Sequence, residues 1–463
     1  MANMNLTAIA DFNRIEGRIR PEQHGTNSAP VLATRSLRTF DDEHREMHFY
    51  ASRTHDWALW NAGQRIIDTH FIFPLMHLDP ADPANYYFKP SDAIIKHCRD
   101  VGMKVFYRLG TSIEHNAADE HFNSCVPEDF EKYAEVLAGI VRHYVSDFAD
   151  GCNYDDMIYW EIWNEPNLSV KAWTGDFMQF VDFFSTCVVR LKKEFPHLKI
   201  GGPALCGYAH FDIPLLIKAC EEKGALPDFI SWHYYGFEPD QLIGEPRKCR
   251  DLLDEHGWKN IETCVNEWHY VFGWQGIQSS SSWQGYRRAI DGPCGVNQID
   301  SAAFNLAVLA AWQSEPLDTG FYYGANPESP AWGFRNERKL NKSFFSMKMF
   351  GEIMATCTKR VYSASGAYRA DGSEWNYGGK TVYTLAALSD DEKTGMLLVS
   401  DYRGERESLE LDVAGMEEAK SVSAILLDEN KDYAPVSVIW NGRKLILPKE
   451  TQGSCAFLMT FER

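Results

Sequence analysis

"MIYWEIWNEPNL", residues 157 to 168, reads as a short buried strand that stops at an Asn-Glu-Pro break. The apolar and aromatic run over 157–164 has the length of a core strand rather than a helix, and Pro166 cannot donate to a ladder. Working outward, seven further runs share this texture: "RPEQHGTN" (20–27), "HFYASRTH" (48–55), "MKVFYRLG" (103–110), "LKIGGPAL" (198–205), "DFISWHYY" (228–235), "ETCVNEWH" (262–269) and "DTGFYYGA" (318–325). Between them lie helix patterns such as "SDAIIKHCRDVG", "PEDFEKYAEVLAGIVRHYVSDF" and "SAAFNLAVLAAWQ", with Ser91 and Pro127 as start signals and Gly102 and Gly224 as stops. Strands alternating with helices predict βα units and a parallel sheet. Eight of them predict an α/β fold of the (β/α)8 TIM-barrel type over residues 15–358. A doubly wound sheet is the alternative, but no glycine-rich dinucleotide fingerprint follows an early strand.

From 359 to 463 the texture changes to short strands with Gly, Asp and Asn breaks, including "TVYTLAALSD", "GMLLVSDYRG", "VSVIWNGRKLIL" and "SCAFLMTF". This spacing predicts a C-terminal antiparallel β-sandwich. An N-terminal strand from residues 1–14 is expected to join it at an edge.

The chain of 463 residues is long enough for a large core and a smaller companion domain. Its formal charge of −19 argues against a nucleic-acid partner and an anionic membrane surface, both of which select clustered Lys and Arg. Eleven cysteines occur as singles with no C-x-x-C pair, which suits reduced thiols in a cytoplasmic protein. The N-terminus lacks the basic start and apolar run of a signal peptide, and no stretch has the length of a membrane span. The 14 Trp, 21 Tyr and 27 Phe are mostly core, but tryptophan in such numbers also suits a pocket that stacks on sugar rings.

In a (β/α)8 barrel the working residues sit at the C-terminal ends of the strands. Glu161 lies inside the fourth strand and is expected to be a buried hydrogen-bond acceptor, whereas Glu165 stands at the mouth. Glu267 ends the seventh strand in an equivalent position. Two carboxyl groups facing one another across a barrel suit glycosidic hydrolysis: one protonates the leaving oxygen, and the other attacks the anomeric carbon or activates water. Taken alone, Glu267 would more often anchor a loop or cap a helix, whereas Glu165 is more specific, because Asn164 beside it can hydrogen-bond both the carboxylate and a sugar hydroxyl while Pro166 fixes the turn. Neither a metal nor an organic cofactor is called for, since two carboxylates suffice. "HREMH" puts His44 and His48 four apart, but it lacks the Glu after the first His that zinc peptidases use, and a solvated helix face is expected. The loop over 269–297, with Trp274, Trp283 and Tyr286, is expected to form one pocket wall; Tyr86, Tyr87 and Phe88 are expected to reach the pocket.

"EIWNEPNL" resembles the acid/base motif of glycoside hydrolase family 39, which contains β-xylosidases and α-L-iduronidases. "SRTHD" (52–56), "GGPALCG" (201–207), "ISWHYY" (230–235) and "WGFRNERKLNKSFFSMKMF" are similar to further family segments, so the resemblance spans about residues 20–356. It implies that Glu165 is the acid/base and Glu267 the nucleophile. Asn164 would contact the sugar 2-hydroxyl, His55 would bind sugar hydroxyls, Arg53 would support the nucleophile's charge, and His233 and Tyr235 would line the pocket. Trp163, Trp268, Tyr323 and Trp332 complete the expected substrate-binding set. The implied environments differ: Arg53 and a tyrosine hydroxyl favour ionised Glu267, while aromatic walls keep Glu165 protonated.

The chain departs from the family around the nucleophile, where Asn266, Glu267 and Trp268 replace the usual Thr-Glu-Tyr or Thr-Glu-Phe, and again in its eighth strand. The expected activity is a retaining exo-glycosidase acting on a small oligosaccharide or glycoside. A β-xyloside ranks first and an α-L-arabinofuranoside next, with β-glucosidase and α-L-iduronidase specificities behind. A uronic acid would need a cation, for which Arg53, Arg108 and Arg335 are the candidates. An endo-acting hydrolase or transglycosylase and a non-catalytic carbohydrate-binding barrel are the competing readings. The sandwich either braces the barrel or contributes to a homo-oligomer.

Overall fold

The computed structural model describes residues 6–27, 39–55, 58–59, 64–112, 124–168, 172–272, 290–292, 294–324, 332–336, 339–366 and 380–463. The eight barrel strands are Gly25–Asn27, Ala51–Arg53, Lys104–Leu109, Tyr159–Ile162, Lys199–Leu205, Phe229–Gly236, Glu262–Tyr270 and Thr319–Tyr322. They close in sequence order, and every neighbouring pair is parallel. A helix follows each strand: Asp41–Met47, Lys89–Asp100, Phe130–Val145, Phe177–Glu194, Asp212–Glu222, Pro239–Glu255, Ile299–Trp312 and Lys342–Thr356.

Local starts differ from those expected. Ser91 lies inside its helix, buried, with its hydroxyl donating to the Ile66 carbonyl. The helix begun near Pro127 starts later, at Phe130, where the Asp129 side chain accepts from the Lys132 amide at 2.9 Å. His44 is not solvated: it is buried against Phe40, and burial lowers its pKa to about 4. Tyr86 and Phe88 turn away from the barrel mouth toward the helix Phe130–Val145. Phe88 stacks on His143 at 3.6 Å, Tyr86 stacks on Phe88 at 5.4 Å, and Tyr87 is exposed beside Phe71.

The barrel interior is layered. Its floor is apolar, formed by Ala51, Phe106, Phe229, Cys264 and Phe321, with the Phe106 ring 4.8 Å from Phe321 and 5.3 Å from Phe229. Two residues further along each strand the inward positions become polar, because side chains alternate faces. That second layer carries the site.

Ten further strands form a second sheet with its own apolar core, including Val361, Leu397, Leu409, Leu445, Phe457 and Phe461, and four short ones pair as Ala58–Leu59 with Gln64–Arg65 and Arg335–Asn336 with Lys339–Leu340. Phe461 meets Phe12 and Trp440 from strands distant in the order, so the sheet curls on itself. The N-terminal strand Leu6–Arg18 is not an edge. It sits inside the sheet, antiparallel to Lys359–Ser365 and parallel to Ser408–Ala414, because Ala8, Ala10 and Phe12 fill the core on one face while both strand edges pair. The sheet also covers the helix Ile299–Trp312, whose "SAAFNLAVLAAW" is consequently buried nearly all round. Ser400 donates to the Ala303 carbonyl at 2.7 Å, and Arg403 pairs with Asp300 at 2.8 Å. Among the described residues, no helix is long and apolar enough to cross a membrane.

Candidate active site

The second barrel layer is a charged array centred on Arg53. Its guanidinium donates to Glu161 at 2.6 Å, to Glu267 at 2.8 Å, to Asn164 Oδ1 at 2.8 Å and to Asn27 Oδ1 at 3.2 Å. Burial opposes its charge, but the Glu161 and Glu267 carboxylates more than compensate, and its pKa is raised. Glu161 is fully buried and also accepts from the Ser231 hydroxyl at 2.6 Å and from the Asn266 amide. It therefore anchors Arg53 and lies below the mouth. Expected outcome: Arg53→Met leaves two buried carboxylates without a cation and destabilises the fold by about 3–5 kcal/mol. Arg53→Lys loses less, because a lysine keeps the charge but not the fork. Urea unfolding checks this; equal midpoints for all three proteins would contradict it.

Glu267 reaches the mouth through an irregularity in its strand. The register with the sixth strand slips between Val265 and Glu267, so both Asn266 and Glu267 contact groups inside the barrel. Around the Glu267 carboxyl, Arg53 and His55 Nε2 face Oε1, the latter at 3.4 Å, while Tyr235 donates to Oε2 at 2.6 Å. Burial pushes this carboxyl above its ordinary range, against the pull of His233, Arg53 and the Tyr235 hydroxyl. The array expected to favour the ionised form thus opposes a larger desolvation. Tyr235 is itself raised well above the usual phenol value by burial, so it stays a donor.

Glu165 is placed by a strained elbow. Trp163 has φ 76° and Glu165 φ 47°, both in the left-handed region that non-glycine residues avoid, at about 1–3 kcal/mol each. The elbow is held on both sides. Trp163 is buried among Tyr133, Trp173, Phe180 and Phe183, with its indole N–H on the Ala172 carbonyl at 2.8 Å. Gly110 permits this packing, since a Cβ there would lie 2.7 Å from the Trp163 ring. The Glu165 amide donates to the Ala204 carbonyl at 2.9 Å. His233 Nδ1 then bridges the two carboxyl groups, at 2.7 Å from Glu165 Oε1 and 3.3 Å from Glu267 Oε2. Burial lowers His233 to about 4, so the ring is neutral at neutral pH. One oxygen of each glutamate and the imidazole nitrogen lie within 4.8 Å of one another.

Tyr323 and Trp332 stand beside these groups. Their rings lie 5.9 and 5.8 Å from Tyr235 and 5.4 Å from each other, and Tyr323 is 6.1 Å from His55. Trp163 and Trp268 do not join them, which corrects the expected substrate-binding set. Trp163 faces the helix layer, and Trp268, one residue past Glu267, points outward onto Trp312 and Tyr322. The loop residues Trp274, Trp283 and Tyr286 lie outside the described residues.

Several contributors were not singled out from the sequence. Ser231 sits two residues before His233 on the same strand face, so alternation could have flagged it. Asn27 ends the first strand and donates to the Asn266 carbonyl at 2.9 Å. Cys206, just past the fifth strand, hydrogen-bonds Glu165; desolvation and the Glu165 carboxylate push its thiol up to about 12. The three arginines considered for a uronate each face a carboxylate already: Arg53 as described, Arg108 with Asp68, and Arg335 with Glu43 at 2.9 Å. Among the described residues two side-chain groups have donor atoms close enough to hold a metal, Glu165–His233–Glu267 and, away from the mouth, Asp92–His143–Cys152. In the second, His143 is paired with Asp92 at 2.9 Å.

Known proteins resemble this chain in sequence and in fold. Residues 43–247 match the family described as "Glycosyl hydrolases family 39", a span that includes Glu165 and ends before Glu267. A β-xylosidase of Caldicellulosiruptor saccharolyticus is 31% identical over 157 residues, 33% of this chain and 31% of that protein, so the similarity covers about a third of the relative's length. Among solved structures, a glucosidase from Croceicoccus marinus superposes with TM-score 0.76 at 20% identity over 100% of both chains. A family 39 β-xylosidase from Caulobacter crescentus does so with TM-score 0.66 at 15% identity, over 98% of this chain and 99% of that one.

Proposed function

We propose that the chain is a member of glycoside hydrolase family 39, whose model matches residues 43–247, and a retaining exo-glycosidase with Glu267 as nucleophile and Glu165 as acid/base. The carrying observation is the carboxyl pair, with one oxygen of each within 4.8 Å. That upper bound falls short of the roughly 6.5–9.5 Å between the carboxyls of inverting enzymes and suits the roughly 5–5.5 Å of retaining ones.

In the first step a Glu267 oxygen attacks the anomeric carbon, the bond to the leaving oxygen breaks, and the Glu165 proton moves to that oxygen. In the second, water attacks the glycosyl-enzyme, its proton passes to Glu165, and Glu267 is released. Arg53 and Tyr235 hold Glu267 against rotation. Arg53 also accounts for the Asn164 carbonyl, which turns the amide donor toward a sugar hydroxyl. His55, Tyr323 and Trp332 supply a polar and aromatic wall for one sugar. The pairing of Arg53, Arg108 and Arg335 with carboxylates favours a neutral glycoside, with a β-xyloside ranked first and an α-L-arabinofuranoside second. The test is a panel of aryl glycosides, with proton NMR of the first-formed sugar. Net retention on at least one glycoside is expected; inversion, or no turnover of any, would contradict the proposal.

The pH profile follows from Glu267. The nucleophile must be ionised, and burial raises its pKa, so kcat/KM falls on the acid side at a pH above that of an ordinary carboxyl, about 4.3. Tyr235→Phe removes a hydrogen bond that favours the charged form, so its acid limb moves further up in pH. An acid limb that stays in place in Tyr235→Phe would refute this coupling.

A further inference from the structure

A second cluster of polar side chains plays no part in the chemistry at the mouth. Asp92 lies in the first turn of the helix Lys89–Asp100, and His143 lies in the last turn of Phe130–Val145. His143 Nε2 is 2.9 Å from Asp92 Oδ1 and 3.8 Å from Cys152 Sγ. Cys152 reaches the imidazole because the chain after the helix doubles back on its last turn. The Cys152 amide donates to the His143 carbonyl at 2.8 Å, and the Tyr154 amide donates to the Tyr144 carbonyl at 2.7 Å. Gly151 permits this approach, since a Cβ there would lie 2.2 Å from the Ser146 carbonyl oxygen and 2.4 Å from that of His143.

The imidazole is oriented as a metal ligand would be. Its Nδ1 donates to the Phe148 carbonyl at 3.1 Å, so Nδ1 keeps its hydrogen and Nε2 is the atom presented to Asp92 and Cys152. Phe88 fixes the plane of the ring by stacking on it, and the fully buried Tyr144 hydroxyl faces Asp92. Burial opposes protonation of His143, but Asp92 and Cys152 more than offset it and raise its pKa to about 9. Without a metal, a proton on Nε2 therefore fills the gap between the carboxylate and the sulfur. The ring is buried while Asp92 and Cys152 are half-buried, which leaves an approach from solvent. The stretch "SDFADGCNYDD" (146–156) carries four aspartates and neither Lys nor Arg, so its field attracts cations.

Bonds of about 2.0–2.3 Å to a tetrahedral Zn²⁺ put ligand atoms roughly 3.3–3.8 Å apart. The separations of 2.9 and 3.8 Å come close to that, and all three atoms lie within 4.8 Å of one another. A thiolate and an imidazole select Zn²⁺ over Ca²⁺ or Mg²⁺, which take oxygen ligands. We infer that Asp92, His143 and Cys152 form a site for one Zn²⁺ ion, with water as fourth ligand, that clips the chain before the fourth barrel strand to the helix after the second. On binding, the proton on Nε2 and the thiol proton of Cys152 leave to solvent, and the ion takes their place.

The test titrates chelator-stripped protein with Co²⁺, whose absorption reports both tetrahedral geometry and a sulfur ligand, and then displaces it with Zn²⁺. Wild type is expected to take up one equivalent that shows the near-ultraviolet sulfur-to-cobalt band. Cys152→Ser, a change of little volume, loses that band and weakens Zn²⁺ binding by more than about tenfold, since even an outer-shell partner is worth about 10–100-fold. Asp92→Asn keeps the band with weakened affinity. Turnover of glycosides by Cys152→Ser stays at the wild-type level, as the site lies outside the catalytic machinery. Absence of the band in wild type, or its persistence in Cys152→Ser, would overturn the inference. So would its loss in Cys206→Ser, which would place the metal beside Glu165 instead.

Discussion

Glu267→Gly is expected to lose turnover by at least about 10⁴-fold, the scale seen when a group acting as a unit with its partner is removed. On the proposed mechanism no other carboxylate described in the site can replace it: Glu161 is fully buried and bound by Arg53, and Glu165 would be occupied with proton transfer. The space vacated by the carboxylate admits a small anion beside Arg53 and Tyr235. Added azide is therefore expected to restore turnover and give a glycosyl azide of inverted configuration, since only one displacement then occurs. Because Glu267 supplies one of the two carboxylates that offset the charge on Arg53, the variant is checked by circular dichroism. A folded variant with wild-type turnover would remove Glu267 from the mechanism.

Glu165→Ala is expected to behave differently, and the difference identifies the role. Loss of general acid catalysis costs about 10²–10⁴-fold, but only where the leaving group needs a proton. Substrates with poor leaving groups should suffer the full loss. For a 2,4-dinitrophenyl glycoside, cleavage of the first bond should remain near wild type while hydrolysis of the glycosyl-enzyme slows, giving a burst of phenolate. The basic limb of the pH profile should also disappear. Equal losses on good and poor leaving groups, with the basic limb intact, would assign Glu165 a merely structural part.

Much of this site was legible in the chain because the barrel imposes position. Once residues 157–164 were read as a strand, alternation set Glu161 inside and the Asn-Glu-Pro break put Glu165 at the mouth, and the structure has that arrangement. Most of the strand runs were visible because they are apolar or aromatic and flanked by turn residues, whereas "RPEQHGTN" (20–27) has no large apolar side chain. Strand alternation also explains the errors. Trp268 follows an inward Glu267 and so points outward, and Trp163, despite its place beside Asn164, turns into the helix layer because its left-handed backbone redirects it. The position of Leu6–Arg18 inside the sheet was not legible, because a strand's pattern of alternation is the same at an edge and in the middle. The bridging of both carboxyls by His233 and the anchoring of Arg53 by Glu161 join residues 68, 34 and 108 positions apart. No spacing in the sequence encodes such contacts.

The central claim is that Glu267 becomes covalently bonded to the sugar. Incubation with a 2-deoxy-2-fluoro glycoside of the sugar turned over fastest slows the second step and accumulates the glycosyl-enzyme, which peptic digestion and mass spectrometry then locate. The account predicts one fluorosugar per chain, on the peptide containing Glu267 and absent from Glu267→Gly. A label on another residue, or steady turnover with no label at all, would contradict it.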